Sequence, residues 1–216
     1  MAMASHNFPP DDSPPGGTSR RGLLGAFVAA PIAAPIIASP WRDALAPLHQ
    51  EHSDEPTTLE RTKEGRSLSR CRYHSAERSF MLVAAGFFSN PRFIRDTLHQ
   101  AGAIAKLALC GYLLDVGFSD AWLAAHLRQD ITKALAYANA TGFAHDCPEM
   151  ARLAVVLTPY WKWGYHPMHD NPPVSGGGFK PNQIQSLLRA LLDRVHDATG
   201  HPYPKGARGQ RQEGRS

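Results

Sequence analysis

The sequence predicts an all-α protein, an irregular bundle of about five helices. Two observations predict this fold class. Apolar residues recur at the spacing of a helix face near the end of the chain, at Ile184, Leu187, Leu188, Leu191, Leu192 and Val195. The stretch 101–114 carries Lys106 as its one charge, and a helix that is apolar on all sides is typical of the centre of a bundle.

Composition divides the chain of 216 residues into segments with different expected roles. We expect residues 1–40 to be a leader and 41–74 a polar linker that includes a basic segment. Residues 75–201 form the predicted helical domain, which is long enough to bury one core. Residues 202–216 are expected to be a disordered basic tail, in which four Lys and Arg stand against one acid.

The leader contains an arginine pair followed by a long stretch without formal charge. Ser19-Arg20-Arg21-Gly22-Leu23-Leu24 resembles the core of a twin-arginine signal peptide, and the Ala-, Gly-, Val- and Ile-rich residues 23–38 resemble its weakly apolar region. The resemblance implies a bacterial protein that is exported, already folded, to the periplasm. It also implies that Arg20 and Arg21 are the recognised residues of the signal.

Two alternatives to export remain open for this stretch. Its uncharged part is just long enough for a membrane anchor, although Pro31 and Pro35 would interrupt the spanning helix. In the second alternative, the stretch is an Ala- and Pro-rich tail with a chance arginine pair, and the protein is cytoplasmic.

The helical domain is expected to begin with two helices separated at Pro91. The first covers 75–89, with the apolar run FMLVAAGFF, and the second runs from Pro91 to about Asp115. In this second helix, Gly102 and Gly111 each cost about 1 kcal/mol relative to Ala. We therefore expect them to let a neighbouring backbone come close.

Two further helices are predicted from caps and apolar stripes. The third covers 119–141, is capped by Ser119 or Asp120, and ends at Gly142. The fourth opens at Asp146-Cys147-Pro148-Glu149 and ends at Pro159. The expected buried positions are Leu123, Leu127, Ile131, Leu135 and Ala138 in the third helix, and Met150, Leu153, Ala154 and Leu157 in the fourth.

The last predicted helix follows a long loop that is rich in Pro and Gly. The loop covers 164–181, and connections of this length are often functional. Asn182 and Gln185 fit a capping box at the start of the helix, and Gly200 ends it.

The best candidate for a ligand pocket is an aromatic corner beside that loop. Its members are Tyr160, Trp161, Trp163 and Tyr165. Aromatic side chains hold ligands by stacking, but the alternative is that they close the core and fix the loop. Lys106 is a further candidate, as a Schiff-base or general-base lysine in an apolar helix, unless its stem carries the ammonium to the surface.

A weaker pattern indicates a metal site and hence a metal-dependent enzyme. His166, His169 and Asp170 lie close together in the loop, and His145 and Cys147 offer further ligands for a divalent metal. The spacing matches no established zinc signature, and no paired cysteines support it. Cys147 is also a candidate reactive thiol at a helix start, and Cys110 is expected in the core.

The basic segments permit a further alternative, a cytoplasmic accessory protein that binds nucleic acid. Arginines and lysines on one face can follow a phosphate backbone, but no recognition helix supports this reading. The function we expect is a small exported helical binding or interaction protein without identifiable chemistry or cofactor. The candidate nucleic-acid contacts are Arg66, Arg70, Arg72, Lys205, Arg208 and Arg211.

Overall fold

The computed structural model confirms the all-α prediction. It describes residues 41–84, Gly86, 94–158 and 175–204, and these residues contain helices and no strands. All of them belong to one unit of the chain, Ala38–Ser216. Within the described ranges, no helix combines the length and the apolar character that crossing a membrane requires.

Helices account for most of the described chain. A short fourth helix continues directly into a π-helical turn, Leu123–Leu127. The helices are α1 Arg42–His52, α2 Lys63–Ala84, α3 Ile94–Val116, α4 Asp120–Trp122, α5 Ile131–Ala140, α6 Pro148–Leu157 and α7 Pro181–Thr199.

Helix α3 lies at the centre of the bundle, as its apolar composition predicts. It packs against α2, α5, α6 and α7. Burial of large apolar side chains dominates the stability of such a core. The side chains of α3 that are fully shielded from solvent include Leu98, Ile104, Leu109 and Leu113.

Helices α2 and α3 come close together at Gly111, which confirms the expected role of this glycine. A Cβ atom at Gly111 would lie 3.3 Å from the carbonyl oxygen of Ser69 and 3.4 Å from the backbone nitrogen of Tyr73. The Ser69 hydroxyl donates a hydrogen bond of 2.6 Å to the Gly111 carbonyl. A side chain here would therefore push the two helices apart.

A buried ion pair fastens α2 to α7. Glu77 is completely buried, and both of its oxygens accept hydrogen bonds from the Arg189 guanidinium, at 2.6 and 2.8 Å. The Tyr73 hydroxyl donates to the same carboxylate at 2.9 Å. These donors satisfy a charge that would otherwise be strongly destabilising in the core.

The segment 41–74, which we expect from its composition to be a polar linker, contains helical structure. Helix α1 lies inside it, and α2 begins at Lys63, twelve residues before the predicted start at Ser75. Helix α1 buries only Leu45 and His49, which is too sparse a pattern to show a helical period. The first half of α2 buries Ser69 and Tyr73, so its inward face is largely polar.

The third predicted helix is interrupted, although its expected apolar stripe is buried. Ser119 caps α4 by accepting a hydrogen bond from the Trp122 N–H at 3.1 Å, as predicted. The chain then widens into the π-helical turn, breaks at Arg128 and restarts as α5. Asp130 caps this restart by accepting the Lys133 N–H at 2.9 Å, a signal inside the predicted helix that was missed.

The ends of the last two helices differ slightly from the prediction. Helix α6 begins at Pro148 with Cys147 in the capping position, and its predicted inward residues are buried. Helix α7 begins at Pro181, and the Gln183 side chain, rather than Gln185, accepts the N–H of the capping residue Lys180. Gly200 ends α7 with φ of 67°, as predicted.

A substitution at Gly111 tests the α2–α3 contact. Gly111→Val should lower the free energy of unfolding by about 2 kcal/mol, because its methyl groups meet the α2 backbone. Ala190→Val, at an exposed position of α7, is the matched control and should cost about 0.5 kcal/mol. Urea unfolding measures both. Equal effects of the two substitutions would contradict the close packing.

Candidate ligand-binding cleft

A cleft opens where the π-helical turn, the start of α5 and the end of α6 meet. Its volume of about 560 Å³ is within the range of small-molecule sites. We call it the Arg128 cleft. Its lining residues are His126, Leu127, Arg128, Gln129, Asp130, Lys133 and Thr158.

The π-helical turn shapes one wall of this cleft. The Arg128 N–H donates to the Leu123 carbonyl at 3.2 Å, five residues back, instead of the usual four. Such widened turns are frequent at functional sites, because they displace side chains from the regular helical positions. The turn carries His126 into the wall of the cleft.

Arg128 holds a strained backbone conformation at the edge of the cleft. Its φ of 46° and ψ of −105° are close to the first central position of a type II′ turn, where glycine is strongly preferred. The Asp130 N–H closes this turn by donating to the Leu127 carbonyl at 2.8 Å. A bulky residue in such a conformation costs about 1–3 kcal/mol.

The Asp54 carboxylate, on a side chain that is 5% exposed, stands behind the cleft and receives donors from three side chains. Lys133 Nζ is 2.7 Å and His126 Nδ1 is 3.2 Å from Oδ1. The Tyr137 hydroxyl donates to Oδ2 at 2.7 Å. Since this uses the proton of Tyr137, His49 Nδ1 donates to the Tyr137 oxygen, at 3.1 Å.

The electrostatics of this cluster favour a charged Asp54. Burial opposes the charge, but hydrogen bonds from Lys133 and Tyr137 and the nearby positive charges outweigh it and hold the pKa of Asp54 below its usual value. Burial, together with the Asp54 carboxylate, raises the pKa of Tyr137, so the phenol stays protonated. Burial lowers the pKa of His49, which favours its neutral form.

His126 is oriented by this carboxylate. A charged Asp54 only accepts hydrogen bonds, so Nδ1 of His126 carries the proton between them. The imidazole also packs on the Trp122 ring, with the ring centroids 4.8 Å apart. Nε2 is then the nitrogen left for a ligand, as an acceptor when the ring is neutral and as a donor when it is charged.

Most of the residues predicted for a ligand pocket lie outside the described residues. They are Tyr160, Trp161, Trp163 and Tyr165, which follow the cleft residue Thr158 in the sequence. Lys106 is described, and its ammonium is buried with no well-formed hydrogen bond to another described residue, so it does not reach the surface. It lies one helical turn from Cys110, a buried thiol whose pKa is raised by burial.

The predicted metal ligands are only partly described. His166, His169 and Asp170 lie outside the described residues. Cys147 Sγ is 3.7 Å from a Glu149 oxygen, and the buried His145 Nε2 atom has no hydrogen-bond partner among the described residues. Within the described part of the chain, no three His, Cys, Asp or Glu side chains are grouped as metal ligands would be.

Two of the basic residues assigned to nucleic-acid contact make ion pairs within the bundle. Arg66 Nη1 is 3.0 Å from Asp115, and Arg72 Nη2 is 3.2 Å from Asp120. Arg70 is exposed on α2. The remaining members of that set, Lys205, Arg208 and Arg211, lie outside the described residues.

The fold brings together a serine, a histidine and an aspartate that the sequence did not connect. Ser69 Oγ and Asp115 Oδ1 lie 2.7 and 3.6 Å from the same nitrogen, Nε2 of His201. A nucleophilic triad instead uses the two ring nitrogens for the two partners. Ser69 is also fully buried and donates to Gly111, so this set serves packing.

The contacts among Ser69, Asp115 and His201 hold the chain in place just after α7. The sequence predicts disorder from residue 202 onward. Residues 201–204 are described and lie against α2 and α7. His74 Nε2 is 2.8 Å from the Pro202 carbonyl, and the Tyr203 ring stacks on His196 with centroids 4.0 Å apart. His196 Nδ1 is 2.7 Å from the carbonyl of His201.

Sequence reasoning missed the residues that build the cleft. Asp54 lay in the expected linker, and His126, Arg128 and Lys133 lay on the outer face of an expected continuous helix. The available signal was Asp130 three residues before Lys133, the pattern of a cap that restarts a helix. No protein-family model, curated protein or solved structure matches the chain.

The buried His201 predicts a loss of stability in acid. Burial, followed by the charges of Arg66 and Arg70, lowers its pKa, although Asp115 opposes the shift. The folded chain therefore binds fewer protons than the unfolded chain below the ordinary histidine pKa of 6.5. Stability is complete above that pH and decreases as the pH falls through the window below it.

Urea unfolding at several pH values measures this effect. Each proton that only the unfolded chain binds contributes about 1.4 kcal/mol per pH unit to the slope. His201→Gln, which keeps an N–H donor for Ser69, should flatten the acid limb without removing it, because burial also lowers the pKa of His49 and His145. An unchanged acid limb in His201→Gln would contradict the assignment.

Proposed function

We propose that this chain is an exported helical binding protein whose ligand site is the Arg128 cleft. The main support for this ligand site is the strained backbone of Arg128. Glycine would relieve the strain, yet the chain places a long cationic side chain there, at the edge of a cleft of suitable size. Strain of this kind is concentrated at ligand sites, where the surrounding structure enforces it.

The environment of the cleft supports binding rather than a purely structural role. The Asp54 cluster fixes His126 and Lys133 from behind, so these side chains are positioned before a ligand arrives. Preorganised groups lose less conformational entropy on binding. Arg128 and Gln129 are exposed, which leaves the opening accessible within the described part of the chain.

Export is supported by the leader sequence alone. Ser19–Leu24 resembles the core of a twin-arginine signal peptide, and residues 23–38 resemble its apolar region. Arg20 and Arg21 lie outside the described residues. A periplasmic location would direct the search for ligands to small molecules of the cell envelope.

Replacing Arg128 by glycine separates strain from binding. Arg128→Gly should raise the free energy of unfolding by about 1 kcal/mol, because glycine adopts this conformation freely, and it should weaken ligand binding. Ala144→Gly is the matched control. Ala144 has a similar φ of 49° but does not line the cleft, so its replacement should stabilise the fold and leave binding intact.

Amide NMR spectra recorded with a panel of carboxylates, phosphate esters, amines and uncharged polyols provide the binding measurement. At least one class should shift the amides of residues 126–133 in the wild type and in Ala144→Gly, and shift them less in Arg128→Gly. The ligand site is refuted if no class shifts these amides in the wild type, or if Arg128→Gly binds as well.

Cell fractionation of a C-terminally tagged full chain tests export. The wild type should give a shortened periplasmic product, and Arg20→Lys/Arg21→Lys should abolish it, because the signal depends on both arginines. Full-length cytosolic protein in both cases would rule out export.

A further inference from the structure

We infer that the Arg128 cleft binds an oxyanion, a carboxylate or a phosphate group, and that binding takes up a proton at His126. This inference rests on the proposed ligand site and adds the chemical class of the ligand and its coupling to pH. It follows from which hydrogen-bonding groups of the cleft are satisfied and which are not.

Arg128 and Lys133 bring to the cleft N–H donors without a partner among the described residues. The Arg128 guanidinium has five N–H groups, and the structure shows one bond from them, from Nε to the Ala125 carbonyl at 3.4 Å. Lys133 uses two of its three protons, on Asp54 at 2.7 Å and on the His126 carbonyl at 2.9 Å. A ligand that completes these groups must supply acceptors.

One carboxylate oxygen of the cleft, Oδ1 of Asp130, is already engaged. Asp130 Oδ1 accepts the Lys133 backbone N–H at 2.9 Å and faces the Thr158 hydroxyl at 3.4 Å. The Thr158 hydroxyl in turn lies 3.0 Å from the Ala154 carbonyl, to which it donates. Planar guanidinium and ammonium groups are well suited to oxyanions, so the free donors of Arg128 and Lys133 favour a ligand of this class.

His126 couples this binding to protons. With Nδ1 held on Asp54, the neutral ring presents the lone pair of Nε2, which repels an oxyanion. The charged ring presents an N–H donor and a positive charge, which attract it. Anion binding therefore favours protonation of His126, and by linkage acid favours anion binding.

The groups that face His126 come from several elements. Asp54, in the segment after α1, lies 3.2 Å from the Nδ1 atom of His126. Lys133 of α5 bonds to the His126 carbonyl, and His49 of α1 is nearby with its pKa lowered by burial. Trp122 of α4 packs on the ring face, and Arg128 follows in the turn. A bound anion would add a negative charge near the His126 ring, on the side of the cleft.

NMR titrations with two simple anions test the inference. Sulfate stands for tetrahedral oxyanions and trifluoroacetate for carboxylates, and both keep their charge between about pH 5.5 and 8. The midpoint of the His126 imidazole titration should rise when either anion saturates the cleft. The affinity of the favoured anion should fall by up to about tenfold per pH unit above that midpoint.

Two variants separate this coupling from general effects of pH. His126→Gln keeps a donor for Asp54 but cannot gain a proton, so it should bind the anion with an affinity that no longer changes with pH. His99→Gln, a half-buried histidine of α3 outside the cleft, should behave as the wild type. Amide spectra confirm that both variants are folded.

The outcomes distinguish the inference from the proposed function. Anion binding with the same affinity at every pH, or with an unchanged His126 midpoint, overturns the inference. If only amines or polyols shift the amides of residues 126–133, the ligand site stands and the oxyanion assignment fails. If no compound shifts them, both fail.

Discussion

The Asp54 carboxylate is the interaction on which the candidate site depends. A charge shielded from water is tolerated only when hydrogen bonds and opposite charge replace the lost hydration. Asp54 obtains these from Lys133, His126 and Tyr137, which belong to α5 and to the π-helical turn. These hydrogen bonds hold the segment after α1 against both elements. They also set the orientation of the side chains in the cleft wall.

Residues 126–133 combine side chains that are held in place by hydrogen bonds with a strained backbone at the edge of the cleft. Lys133 and His126 are held from behind, whereas Arg128 occupies a conformation that an ordinary turn would give to glycine. Burial of the neighbouring Leu127 and Ile131 supplies the energy that keeps this turn in place. If the cleft binds a ligand as proposed, stability and binding make opposite demands on this one residue.

Sequence patterns predict the elements that bury apolar stripes and fail where polar side chains face inward. The stripe of α7 and the all-apolar centre of α3 were predictable because their periodicity reflects burial directly. Helix α1 and the first half of α2 were not, since Ser69 and His49 point inward with partners supplied by distant residues. Gly111 marked a close approach, but the sequence does not tell which helix comes close.

The cleft was beyond sequence reasoning for a related reason. Asp54 precedes Lys133 by 79 residues, so their pairing exists only in the fold. The break at Arg128 has Asp130 as its sequence signal, but the apolar positions on either side keep the spacing of one continuous helix. The sequence also does not show that the fold brings together Ser69, Asp115 and His201. Their geometry, with both partners on one ring nitrogen, is unsuited to nucleophilic catalysis.

The most direct test of the central claim is the tautomer of His126. Long-range ¹⁵N–¹H NMR spectra of the imidazole, recorded where the ring is neutral, distinguish a proton on Nδ1 from one on Nε2. A cleft organised by a charged Asp54 requires the proton on Nδ1, and Asp54→Asn should shift the population away from it. A proton on Nε2 in the wild type would contradict the account, because Asp54 would then not orient the ring and Nε2 would not be free for a ligand.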